Sequence, residues 1–187
     1  MGPNDPNFKN PKRIRLTIAC IYLDNHFKND DQAVIRKAKD MLDEHNLALD
    51  VWPDNGQKFA FNTLNFGYDI IPHEEDVYKA LRAAVDEKIK QGGCTFILPM
   101  PVVFCQFKHP GLGVVPPYMK KLTDACLIAP DPNPDKVTLI HELGHGAGLN
   151  HEKGASNAAN FMHELNGRSQ MYKYQVEKMA KAMYAVG

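Results

Sequence analysis

"HELGHGAGLNH", residues 141–151, sets three histidines, a glutamate and, among its three glycines, Gly148 in one short run. His141 and His145 are four residues apart, so on a helix both imidazoles project from one face, one turn apart. Two ring nitrogens placed this way can reach one zinc ion at about 2.0–2.1 Å. Glu142 is displaced by about 100° around the helix from His141. It therefore stands close to the ion but off the ligand direction, where a general base for water belongs. Gly148 ends the helix in a left-handed turn, and the turned chain can bring His151 back as third ligand with a fourth position left open.

The residues upstream supply that helix. In "DPNPDKVTLIHELGHGAGL", Asn133 is a good N-cap and Pro134 falls at the first helical position, where its missing N–H costs nothing. Asp135 complements the helix dipole. The expectation is a helix from 134 to about 147, with the histidines in its second half.

Working further outward, "RIRLTIACIYLD" (13–24) is β-branched and apolar and reads as a buried strand. "DDQAVIRKAKDMLDEHN" (30–46) reads as a helix capped by Asp30 or Asp31, with Val34, Ala38, Met41 and Leu42 on one face. "LALDVWP" (47–53) is a second strand, and 54–73 is irregular. "EEDVYKALRAAVDEKIKQGG" (74–93) is a helix through Val77, Leu81, Val85 and Ile89, ended by Gly92-Gly93. "CTFILPM" and "VVFCQFK" read as short strands, and Pro99 and Pro101 point to a sheet edge. "VVFCQFK" (102–108) is the candidate edge above the cleft, to which a peptide could add by main-chain hydrogen bonds. "GLGVVPP" reads as a loop and "LTDACLIAP" (122–130) as a strand. The last element, 169–184, is expected to be an amphipathic helix with Tyr172, Val176, Met179 and Met183 on one side. This order gives a mixed α/β domain with a C-terminal helical piece.

Bulk properties narrow the partners. The chain has 187 residues, enough for one domain with a core of its own, and Lys+Arg equals Asp+Glu at 22 each. No net field and no polybasic run draw it to nucleic acid or an acidic membrane. No apolar stretch near the N-terminus is long enough to span a bilayer. The start, "MGPNDPNFKNPKR", lacks the apolar core of a signal peptide. Cys20, Cys94, Cys105 and Cys126 form no CxxC pair and read as reduced structural thiols. In "HPGLGVVPP" the glycines make no strand–GxGxxG–helix unit, so a nucleotide site is not expected.

Taken together, HExxHxxGxxH resembles the long zinc signature of the metzincin metallopeptidases. Met162 in "NAANFMHE", eleven residues after His151, is similar to that family's methionine in a tight turn beneath the zinc. The motif covers only about 140–163. The resemblance implies a mixed twisted sheet with backing helices, an active-site helix, and a small C-terminal lobe ending in a helix. The chain would then be a single catalytic domain, 1–187, with lobes 1–148 and 149–187. The helix at 74–91 departs from the two major helices of the family's minimal core. Some relatives carry a tyrosine two residues after the methionine; that position is Glu164 here. Tyr172 or Tyr174 could substitute, although packing on a helix face accounts for both.

The activity implied is that of a zinc-dependent endopeptidase. One Zn2+ is held by His141, His145 and His151, Glu142 is the general base, and Gly148 and Met162 support the site. The expected partner of the monomeric chain is a protein or peptide substrate, with no nucleic acid and no membrane. The family implies secretion, whereas the polar start implies the cytosol or another export route. Alternatives are a zinc hydrolase acting on a non-protein amide, a toxin-like peptidase restricted to one partner, and a non-catalytic zinc-stabilised binding module. Glu142 argues against the last, because a purely structural site needs no base. His163, as a fourth ligand, would close the site and is not expected to bind the ion. His26, His45, His73 and His109 lack metal-like spacing and are expected to be structural or exposed.

Overall fold

The structure is a computed structural model that describes residues 2–23, 31–53, 63–67, 74–106, 113–114, 125–130, 135–164 and 168–187. Its frame is β1, Ile14–Leu23, whose last eight residues are all buried. Along one edge β1 pairs in parallel with β2 (Leu47–Trp52) and then β3 (Thr63–Leu64). Along the other it pairs in parallel with β4 (Met100–Phe104), while β7 (Ala185–Val186) runs antiparallel to its first residues. β4 pairs in turn with β6 (Cys126–Ile128), and β5 (Gly113–Val114) lies antiparallel outside β6. These seven strands form one mainly parallel sheet. A strand hydrogen-bonded on both edges and covered on both faces has no solvent side, which is why β1 is apolar without a break from Ile18 to Leu23.

The period-2 alternation of β1 divides the core. Leu16, Ile18, Cys20 and Tyr22 face α1 (Asp31–Glu44) and α3 (Thr138–Gly146). Ile21 and Leu23 face α2 (Glu75–Gln91) on the opposite side. The helix absent from the expected minimal core is thus the cover of the second sheet face, through Tyr78, Leu81 and Val85. It ends at Gly92, where a Cβ would come within 2.5 Å of the Trp52 ring. Cys20, Cys94, Cys105 and Cys126 form no disulfide, as expected. No described helix is long and apolar enough to cross a membrane.

Several expectations are corrected. The described part of 102–108 is not an edge: β4, which takes in Val102–Phe104, lies between β1 and β6, and 107–108 lie outside the described residues. Pro101 is tolerated inside the sheet because the β6 ladder begins only at Val102, so its missing N–H breaks no bond on that side. Among the described residues the strand order ends in β2 on one side and in β5 on the other, the latter inside "GLGVVPP", expected to be loop. Strand β3 likewise falls within the stretch expected to be irregular. "CTFILPM" is strand only from Met100.

Two helices are shorter than expected. α3 starts at Thr138 because Lys136 has φ 51°, a left-handed conformation that no right-handed helix accommodates. Asp135 accordingly sits in a turn, and the expected cap Asn133 and Pro134 lie outside the described residues. The final helix, α4, is only Lys173–Met179. The chain is then drawn back to the sheet: Tyr184 O accepts from Thr17 N at 2.8 Å and from Thr17 Oγ1 at 3.0 Å. Tyr172, Val176 and Met179 are buried as expected, but Met183, beyond the helix, is half exposed.

Candidate metal centre

α3 reaches the site as a short helix buried along most of its length, with His141 and His145 on successive turns. Its end is a Schellman motif: Gly148 N donates to His145 O at 2.8 Å and Leu149 N to Gly144 O at 2.9 Å. Gly148 takes φ 81°, the left-handed value its position demands. Lys178 Nζ, from α4, donates to the Gly148 carbonyl at 2.5 Å. The reversed chain carries His151 back over the helix, and His141, His145 and His151 form a cluster in which one ligand atom from each could hold an ion.

The ring orientations are specific. His151 Nε2 lies 3.2 Å from His141 Nε2 and 3.0 Å from His145 Nε2. Each of the other nitrogens has an acceptor: His141 Nδ1 donates to Phe161 O at 2.8 Å, with Arg168 Nη1 also 3.2 Å from it, and His145 Nδ1 donates to Leu149 O at 2.9 Å. His151 Nδ1 lies 2.9 Å from a Glu164 carboxylate oxygen. With a proton on each Nδ1, three Nε2 lone pairs converge. Lone pairs at such separations repel unless a cation lies among them. Tetrahedral nitrogens at zinc distance stand about 3.3–3.4 Å apart, close to what is seen, and imidazole suits zinc. The residues therefore fit the ion implied by their spacing.

Electrostatics agree with a neutral ligand set. Burial pushes His141 down to about 3, against the opposing pull of the Phe161 carbonyl. Burial also lowers His145. Metal binding requires unprotonated imidazole, so these shifts favour it. Glu142 is buried beside His141, and burial raises its carboxyl to about 8, opposed by the Arg168 guanidinium.

Met162 is fully buried, and a Cβ on Gly144 would collide with its sulfur and come within 3.0 Å of the Phe161 ring. The methionine therefore packs directly beneath α3, between the turns that carry His141 and His145. His163 stands outside the three-histidine cluster; its backbone bridges to Glu152 and its carbonyl accepts from Arg168 Nη1 at 3.0 Å. Tyr172 and Tyr174 are held in the C-terminal polar network. Tyr172 Oη donates to Asn157 Oδ1 at 3.1 Å, and Tyr174 Oη donates to Glu152. His45 is structural, with Nδ1 2.7 Å from Phe8 O. His26, His73 and His109 lie outside the described residues.

Sequence reasoning missed four contributors. Asn160 and Gln175 form a buried reciprocal amide pair, both contacts at 2.9 Å, and Asn160 Oδ1 also accepts from Met162 N at 2.9 Å. The signal available was the Asn two residues before Met162, a spacing that supports an Asx-turn. Arg168, buried, lies 3.6 Å from Asp135 and ties the turn before α3 to the segment after Met162. Glu164 was read only as a missing tyrosine. No protein-family model matches the chain, and no curated protein matches its sequence.

Proposed function

We propose that this protein is a zinc-dependent endopeptidase of metzincin type. The observation that carries the reading is the convergence of three Nε2 atoms whose Nδ1 partners are already committed, beside a buried glutamate on the same helix. Met162 beneath α3 supports the family likeness. Zinc at this centre supplies a Lewis acid for a carbonyl oxygen and makes water nucleophilic at neutral pH. Glu142 takes the proton from the attacking water and passes it to the leaving amine. Burial raises that carboxyl to about 8, and a cation bound beside it would favour the ionised form that the first step requires.

The chain acts as a monomer on a protein or peptide. With β4 paired on both edges, strand addition by the substrate moves to β5, which lies against α3. Protein stripped by a chelator and titrated with zinc should bind one ion per chain and gain chelator-sensitive cleavage of casein. Zinc bound without cleavage of any general substrate would favour the non-catalytic or single-partner alternatives. No zinc bound would overturn the centre itself.

A further inference from the structure

The three rings are not held in the same way. His141 and His145 donate to main-chain carbonyls, which side-chain substitution cannot remove. Both also stand on a helix that limits their rotamers. His151 lies past the helix end on irregular chain, and its side chain is 38% exposed. What faces its Nδ1 is a side chain, the carboxylate of Glu164 at 2.9 Å. The pairing is built by the backbone. Glu152 and His163 form a parallel bridge, with Glu152 N donating to Met162 O at 3.0 Å; in that register His151 lies beside Met162, and Glu164, two residues on, reaches it diagonally on the same face.

We propose that Glu164 is a positioning residue for His151: its carboxylate holds the Nδ1 proton, fixes the ring's tautomer and aims Nε2 at the other two histidines. The proposal rests on the reading of His151 as third ligand. A carboxylate behind a ligating imidazole raises its basicity and fixes its orientation, and losing such a partner typically weakens metal affinity by about 10–100-fold. The glutamate therefore has a task of its own two residues after Met162. A free imidazole interconverts its tautomers, so without Glu164 part of the His151 population carries its proton on the atom that must ligate.

The test uses the full chain and two variants, Glu164→Ala and Glu164→Gln. Long-range nitrogen–proton NMR correlations of the zinc-free protein read the His151 tautomer, assigned by the signals lost in His151→Gln. Zinc affinity is measured by competition with a chelating dye. The wild type should show the Nδ1–H form. Glu164→Ala should shift His151 toward Nε2–H and weaken zinc binding by about 10–100-fold. Glu164→Gln, whose amide oxygen still accepts the proton, should keep the tautomer and lose less affinity. The thermal midpoint should hold in both, since the Glu164 side chain is 65% exposed. An unchanged tautomer in Glu164→Ala overturns the proposal. If the wild type binds no zinc, the metal centre fails, and the tautomer alone decides whether Glu164 positions His151.

Discussion

Helix α3 and the chain that follows it, 149–164, meet at the three histidines but are organised by different forces. On α3 the helical repeat itself aligns His141 and His145, and an apolar bed of Leu139, Ile140 and Leu143 seats the helix on the sheet. In 149–164 no helical repeat aligns the third ligand. Leu149, Phe161 and Met162 join this segment to the core, and buried polar side chains set its path: Asn160 on Gln175 and on Met162 N, and Arg168 on the His163 carbonyl. Apolar burial is non-directional and tolerates small errors, whereas a buried polar group that loses its partner costs its full desolvation. The helix should therefore carry chemistry that is lost without loss of structure, and the loop should carry structure that is lost with small changes of chemistry.

The largest expected effect tests the helix. Glu142→Gln should leave a folded protein with its zinc content intact, because no ligand is removed. Cleavage should fall by about 10²–10⁴-fold, the usual contribution of a positioned general base. Zinc content and casein cleavage measured side by side decide it: full activity removes Glu142 as the base, and lost zinc makes it a ligand.

Next in size is the loop network. Asn160→Ala strands the Met162 N–H in a buried place, at about 1–3 kcal/mol, and takes one partner from each end of the Gln175 amide, which keeps Tyr172 N and Tyr174 Oη. Urea unfolding should show the loss. A variant as stable as wild type would mean the polar network does not hold this region.

The boundary between the two regions is Gly144. A methyl group there meets the Met162 sulfur and the Phe161 ring, so Gly144→Ala should cost about 1–3 kcal/mol by overpacking. It should also weaken zinc binding, since Phe161 O holds His141. Unchanged zinc affinity would show that the helix ligands are placed independently of the loop.

The zinc-free protein should reveal the buried titrations of α3. Glu142 has its carboxyl raised from 4.5 to about 8, so the folded form binds the extra proton and stability falls as pH rises through that window. His141 is lowered from 6.5 to about 3, which has the opposite slope and is complete by its unfolded value. Between pH 6.5 and 8 the falling slope of Glu142 therefore stands unopposed by His141, worth up to about 2 kcal/mol. Chemical unfolding at the two pH values should show this loss in wild type and not in Glu142→Gln.

The smallest effect is Met162→Leu, which nearly conserves volume and should cost under about 1.5 kcal/mol with zinc retained. Complete loss of zinc from a folded variant would give the sulfur a more direct role than packing beneath Gly144.

Local order is what the sequence determined by itself. The apolar runs of β1 and β2, the faces of α1 and α2 and the spacing of His141, Glu142, His145, Gly148 and His151 all express periods of two or of 3.6, or a turn one residue long. These follow from backbone geometry that neighbouring residues share, and they were legible. The tertiary structure decided what depends on residues far apart in the chain. Pro101 suggested an edge, yet β4 became interior because β6, over twenty residues later, pairs beside it. The two-residue β5 is too short to have a period and exists only through its partner. α3 lost its first turn at Lys136, and α4 its last, where the Tyr184 carbonyl was taken by Thr17. Glu164 shows the same limit at the site. Nothing in its neighbours reveals that it will face His151, since that contact forms only when the chain between them closes on the bridge of Glu152 to His163. A sequence period encodes which way a side chain points, but the group it meets is set by loop closure and packing, which involve the whole chain at once.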